Sequence, residues 1–356
     1  MLEAVVADAI LELVFPSCLY GDPPVIRYAL APALVLLAVS CGASAAESMI
    51  QLPSDPTRWL NGPHVSLEAL KGKGVVLYFF EEQCPSCARQ WPNLVGLSRQ
   101  YADKPVVFIA ISSGTERGAI QQYLQTNGVN WPLVLDPARE IEKAAGVGDI
   151  SLRNIMQYVY ITADGKLQRG DWKNPADTAE KALVGATWRV DPTGIPASLK
   201  RAWTQVELGN FALAATQIKA ALADAKPEMK AAGERLQGAA QASLTEEIAA
   251  ARKAAAGQDK WSTYKAFRSL AERYKGYTLP DEFKRAGSTL FNDEEVKKQR
   301  FAMEDLEALT KGLSSGSPAV RKKALDKLDK VIADHPGTEA ADLALQYKQA
   351  GGRPAS

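Results

Sequence analysis

The chain has 356 residues, 46% of them hydrophobic and 23% charged, a globular composition with length enough for about two domains. Its 42 basic and 41 acidic residues leave a formal charge of +1, which excludes the basic footprint of a nucleic-acid binder and any field that would select acidic substrates. Cysteine is scarce, with Cys18, Cys41, Cys84 and Cys87 the full set.

Residues 1–46 read as a leader. Arg27 precedes an apolar core from Ala29 to Val39, and Ala43-Ser44-Ala45 supplies a small-residue cleavage pattern. Acidic residues occupy the stretch before Val25, where a leader carries positive ones, so translation is expected to start near Val25. The apolar core is short for a bilayer span, and the competing reading is an uncleaved anchor or a buried helix. Leu37-Ala38-Val39-Ser40-Cys41 faintly resembles a lipoprotein box, which makes a lipidated Cys41 the other route to a membrane. The expected address is export, to the periplasm or cell envelope.

Cleavage at that pattern leaves Cys84 and Cys87, with Cys41 added only if it is lipidated. A pair spaced by two residues closes too small a loop to remove much unfolded-state entropy, so it is a poor staple. Zinc needs about four ligands. Neither a second cysteine pair nor a histidine cluster is present, because His64 and His335 are the only histidines, so no metal is expected. His64, in the Pro-, Gly- and Trp-containing approach over 51–73, reads as a surface loop residue.

The pair closes an apolar run, Gly74 to Phe80, whose β-branched and aromatic residues suit a strand buried on both faces. Pro85 then fits the first turn of a helix, and Trp91, Leu94, Val95 and Leu97 form that helix's apolar side. Helix N-terminal amides favour a thiolate at Cys84, the outer and more exposed sulfur, while Cys87 lies one turn inside, placed to attack the first sulfur. A C-x-x-C next to alternating strands and helices reads as a redox pair.

Further on, 104–112 is expected as a second buried strand, 116–127 as a helix, 132–136 as a short strand and 138–145 as a helix. A strand over 157–162, a turn at Ala163-Asp164-Gly165 and a partner strand over 166–172 close the segment in a hairpin. This is an α/β domain over 47–190, a mixed sheet flanked by helices. From Asp191 to Pro196 onward the composition turns to Ala, Lys, Glu and Leu, and 191–356 reads as all-helical. Helices over 199–207 and 212–223 turn at Gly209-Asn210, and 228–256 forms a long Ala-rich helix. Tyr264, Phe267 and Leu270 before Gly276 correspond to Leu325, Leu328 and Val331 before Gly337, which fits stacked helix pairs; an irregular bundle fits equally well.

Residues from about 51 to 185 resemble the thioredoxin fold, and within it the exported TlpA/ResA-like thiol-disulfide oxidoreductases. The resemblance rests on the strand before Cys84, on Cys84-Pro85-Ser86-Cys87 and on Pro92 at the spacing of a helix-kinking proline. Trp131-Pro-Leu-Val-Leu-Asp136 and Ile161-Thr-Ala-Asp-Gly-Lys166 resemble the branch's late strand and hairpin. The helical remainder has only a loose tetratricopeptide-like look. The resemblance implies dithiol-disulfide exchange with protein thiols and a redox partner, with Cys84 as nucleophile, Cys87 as resolving thiol and no cofactor. Neither residue between the cysteines is histidine, which favours a reductant over an oxidant.

Three positions depart from the family. Gln83 replaces the tryptophan before the first cysteine, and Tyr78 stands where thioredoxin has a buried acid. Met156 occupies the cis-proline position in the substrate-facing loop. A cis bond before a non-proline residue costs about 2.5 to 4 kcal/mol, so Ile155-Met156 is expected to be trans. Arg89 would lower a thiol's pKa or sit solvated on the helix, and Glu81 and Glu82 would oppose a thiolate by repulsion. A peroxiredoxin is disfavoured because Glu81 stands where that family, similar in fold, has threonine. The rival class is an envelope helical-repeat interaction module whose thioredoxin-like domain is redox-inactive. In either class the helical region is expected to recruit a protein partner on a concave face.

Overall fold

A computed structural model describes residues 50–53, 56–62, 64–114, 117–257, 259–313 and 317–349. The leader, with Cys18, Cys41 and its cleavage pattern, lies outside the described residues, which all belong to one compact unit, 48–356. Six strands form one mixed sheet: β1 (Trp59–Leu60), β2 (Gly74–Phe80), β3 (Val106–Ser112), β4 (Leu133–Leu135), β5 (Gln157–Ile161) and β6 (Leu167–Arg169), in the order β1-β4-β3-β2-β5-β6. β2 lies at the centre, parallel to β3 and antiparallel to β5, while β1 and β6 run antiparallel at the edges.

Every residue of β2 and β3 is buried, as unbroken apolar runs require. Alternation along β2 splits them between two cores. Val76, Tyr78 and Phe80 pack under α1 (Pro85–Gln100), α2 (Arg117–Thr126) and α4 (Pro175–Leu183). Val75, Leu77 and Phe79 face the opposite side, with Ile141 of α3 (Glu140–Ala144), Ile150 and Leu208. Gly74 begins β2 because α4 crosses it so closely: a Cβ there would lie 2.3 Å from the Ala182 carbonyl oxygen.

Three elements of this half differ from expectation. β1, two residues long, was not anticipated, and neither was α4. Pro175 starts it, and the Asn174 side chain caps it by accepting from the Asp177 N–H at 3.2 Å. Its buried face is only Thr178, Ala179 and Ala182, residues too small to register as an apolar stripe. The strand expected over 166–172 is confined to Leu167–Arg169, because the chain turns at Gly170 against Thr178 and Tyr158.

The C-terminal part is helical, as expected. α5 (Lys200–Glu207), α6 (Phe211–Leu222), α7 (Pro227–Ala255), α8 (Lys260–Arg273) and α9 (Asp281–Phe291) enclose Trp203, Phe211, Leu236, Leu244, Phe267 and Tyr274. A second cluster joins α10 (Glu294–Leu313), α11 (Pro318–Asp334) and α12 (Glu339–Gln349) around Leu306, Leu328 and Ala344. α8 and α11 each run into a left-handed glycine, Gly276 (φ 97°) and Gly337 (φ 72°), before the next helix.

The helical part grips the start of β2. Lys73 Nζ lies 3.1 Å from Glu207 Oε2, and both side chains are buried. The same carboxylate accepts from the Arg189 N–H at 3.0 Å and the Val190 N–H at 2.7 Å. Gly209, at φ 74°, lets the α5–α6 turn approach Ala69, where a Cβ would meet the alanine methyl at 2.8 Å.

Candidate active site: a buried cysteine pair at a helix N-terminus

β2 ends at Phe80 in the middle of the sheet, and the chain from Glu81 to Gln83 carries it to α1. Cys84 is the N-cap of α1, with φ −90° and ψ 112°, and Pro85 takes the first turn, where a missing N–H costs nothing. The Cys84 sulfur accepts a hydrogen bond from the Cys87 N–H at 3.2 Å. It therefore takes the place of a capping oxygen and sits at the positive end of the helix dipole. Pro92 lies within α1, as expected.

Cys84 is the more accessible of the two, but both are buried: its surface is 3% accessible and that of Cys87 is 0%. A loop distant in sequence also borders this core. Ile155 and Met156, half-buried, pack against the cluster that holds both cysteines. Met156 takes φ 59°, the left-handed region that a non-glycine residue rarely occupies, and no cis peptide bond occurs among the described residues. The loop is braced from below. Glu142 accepts from the Ile150 N–H at 2.9 Å and from Arg139 at 2.7 Å, and Asn154 donates to the Val147 carbonyl at 2.9 Å. Asp136, fully buried, accepts from the Ile141 and Glu142 N–H groups and from Arg58, fixing the start of α3.

The inner thiol sits in an aromatic nest. Burial pushes the Cys87 thiol up to about 12. Tyr78, on β2, is completely enclosed, its ring stacked on Tyr158 at 4.8 Å and edge-on to Trp91 at 5.1 Å. Trp91 donates to the Tyr123 hydroxyl at 3.0 Å. Glu81 is raised above the usual carboxylate range, first by burial and then by repulsion from Glu82, and Ser112 donates to Glu82 at 3.4 Å. Arg89 is exposed and donates to Ser86 at 2.8 Å, so it serves the helix surface and not a thiol.

No cluster of metal-ligating residues occurs among the described residues. His64 lies in a loop and is half-buried: it lines a groove with Ser66 and Arg273, and burial, then the neighbouring guanidinium, lowers its pKa. His335 pairs with Asp305 at 2.7 Å. No described helix is long and apolar enough to cross a membrane.

Residues 50–169 match the AhpC/TSA family. A thiol-disulfide oxidoreductase ResA of Bacillus subtilis (strain 168) is 31% identical over 90 residues, 25% of this chain and 50% of that protein. A ResA of Bacillus cereus is 26% identical over 133 residues, 37% of this chain and 72% of that one. The chain thus spans about half the length of the first of these relatives. A secreted Mycobacterium tuberculosis disulfide oxidoreductase superposes with TM-score 0.31 at 19% identity, covering 38% of this chain and 98% of that one. A thioredoxin-family thiol:disulfide interchange protein from Chlorobium tepidum TLS gives TM-score 0.30 at 25% identity, covering 35% and 88%. The mixed sheet and cysteine-capped helix thus form a thioredoxin-like fold, similar over residues 50–169 to the AhpC/TSA family and to ResA thiol-disulfide oxidoreductases, and a largely helical region follows it.

Proposed function

We propose that this protein is an exported thiol-disulfide oxidoreductase that exchanges a Cys84/Cys87 dithiol with protein disulfides, working as a reductant. The observation that carries the reading is the pairing at the N-terminus of α1: Cys84 caps the helix through its sulfur, and the Cys87 N–H reaches that sulfur at 3.2 Å. Cys84 attacks a substrate disulfide as thiolate; one substrate sulfur joins Cys84 and the other leaves as a thiolate that takes up a proton. Cys87 then loses its proton and attacks the Cys84 sulfur, closing the Cys84–Cys87 disulfide and expelling the second substrate thiol. Two electrons pass from the pair to the substrate, and a redox partner restores the dithiol. Ile155 and Met156 pack on the cluster that holds both cysteines, and in this reading their loop presents its backbone to substrate.

The division at about residue 190 is supported by the change of core at Val190, the first residue of the helical cluster. The helical region, 191–356, docks a protein partner in this reading, on stacked helix pairs of tetratricopeptide-like kind. Export rests on the leader pattern alone.

One observation favours a second reading, a redox-inactive interaction module: Cys84 is only 3% accessible. Insulin reduction by the purified protein separates the two. The oxidoreductase reduces insulin and loses that activity on Cys84→Ser; equal rates for both proteins, or none for the parent, support the module.

A further inference from the structure

The strongest unexplained group in the molecule is the hydroxyl of Tyr78. It is carried into the centre of the sheet by β2, with 0% of the residue accessible, and it makes no directed hydrogen bond among the described residues. A hydroxyl left like this costs stability that phenylalanine would avoid, since phenylalanine fills the same space with no polar atom to bury. The hydroxyl abuts the Cys87 thiol. We propose that Tyr78 is kept polar to serve the inner sulfur: its O–H donates a hydrogen bond to Cys87 when that sulfur becomes a thiolate, the state in which it closes the disulfide.

The surroundings leave this role to Tyr78. Facing Cys87 are Tyr78 from β2, Tyr158 from β5, Tyr123 from α2, Cys84 from α1 and a backbone hydrogen bond from Glu81, with the Glu82 carboxylate near Tyr123. α4 contributes Ala179 and Ala182, which carry no charge. None of these groups is a cation. The Tyr123 hydroxyl already receives the Trp91 N–H, whereas that of Tyr78 is unengaged within the core cluster that holds Cys87. Burial raises the phenol of Tyr78 far above its ordinary value, so the residue keeps its proton. It is a donor and not a base. The proton that leaves Cys87 ends on the departing substrate thiolate, and Tyr78 holds the sulfur's charge in between. A charge-assisted hydrogen bond is stronger than a neutral one, so the hydroxyl is poorly bonded to the thiol and well bonded to the thiolate. This explains both its orphaned state in the dithiol form and the selection of a polar ring at this position.

The inference rests on the oxidoreductase reading, and Tyr78→Phe tests it through two measurements, one of which needs no turnover. The first is the titration of Cys87 followed by its Cβ carbon resonance in selectively labelled protein. The second is release of thionitrobenzoate from a Cys84 adduct, which reads the closing step alone. Tyr78→Phe is expected to hold or raise the melting temperature, to cut the Cys87 thiolate fraction about tenfold at a given pH, and to slow release about three- to fourfold. The slowing is smaller than the loss of thiolate because a less acidic thiol is the better nucleophile. Tyr158→Phe, which removes a neighbouring hydroxyl that is not bonded to Cys87, is expected to change neither. An unchanged Cys87 titration in Tyr78→Phe, or equal changes in both variants, overturns the proposal. A parent protein that fails to reduce insulin while Tyr78→Phe still moves the titration overturns the oxidoreductase reading and leaves the hydrogen bond standing.

Discussion

Substituting Glu207 by alanine tests whether the helical region holds the strand that leads to the cysteines. The carboxylate is 1% accessible, 3.1 Å from the ammonium of Lys73, itself 2% accessible, and it also receives the Arg189 and Val190 N–H groups. Alanine leaves that ammonium buried without a partner, at a cost of about 3 to 5 kcal/mol, and orphans two backbone donors that water entering the void partly satisfies. For a chain of this size about 4 kcal/mol corresponds to a fall in melting temperature of roughly 6 °C. The loss carries a sign with pH. Burial already lowers the pKa of Lys73, and Glu207 is the group that opposes this, so in the variant Lys73 gives up its proton more readily. The destabilisation is therefore largest at neutral and lower pH and shrinks as the pH rises. Thermal unfolding followed by circular dichroism measures it, alongside a Lys73→Met/Glu207→Leu double variant that removes both charges and should recover the share owed to the stranded ammonium. A Glu207→Ala protein melting within about 2 °C of the parent, or a double variant no more stable than the single one, would refute the reasoning.

Met156→Pro, which restores the family residue by sequence, should impair the protein and not improve it. Proline fixes φ near −65°, whereas Met156 sits at φ 59°, so the loop must rebuild; we expect a loss of about 3 kcal/mol in urea unfolding, and an unchanged midpoint would contradict it. Acid titration gives a further check. Burial raises the pKa values of Asp136, Glu140 and Glu142, so the folded state binds protons more readily than the unfolded one. Their contribution to stability is greatest below the ordinary carboxylate range and is lost as pH rises through the raised values. Glu142→Gln should flatten that mildly acidic slope, and a slope unchanged from the parent would show that Glu142 titrates as it does in the unfolded chain.

Much of the fold was legible because burial leaves a simple signature. β2 and β3 are buried on both faces, which forces continuous apolar runs such as Val75 to Phe80, and α7 announces itself by alanine and leucine over a long span. α4 was hidden because its inward residues, Ala179 and Ala182, are small where it crosses Gly74, and β1 because two residues make no pattern. The cysteine pair and its place at a helix start could be read from spacing and Pro85 alone. Its burial could not, since the core around it is assembled from distant parts of the chain, and nothing in a methionine announces the left-handed backbone of Met156. Lys73 and Glu207 illustrate the same limit. As letters they are two charges among many, and only the packing of α5 on the sheet shows them as a buried pair. Tyr78 was visible as a departure from the family, but the enclosed, unpaired hydroxyl that gives the departure meaning is a property of the packed core.

A redox titration of the purified protein tests the central claim most directly, with the Cys84/Cys87 pair followed by thiol alkylation across a series of glutathione or dithiothreitol buffers. The account predicts a reversible two-electron transition between dithiol and intramolecular disulfide, with a midpoint inside the range of exchanging pairs, about −270 to −120 mV, and on its reducing side. A pair that forms no intramolecular disulfide, or one whose midpoint lies below about −300 mV, where structural disulfides fall, would contradict it.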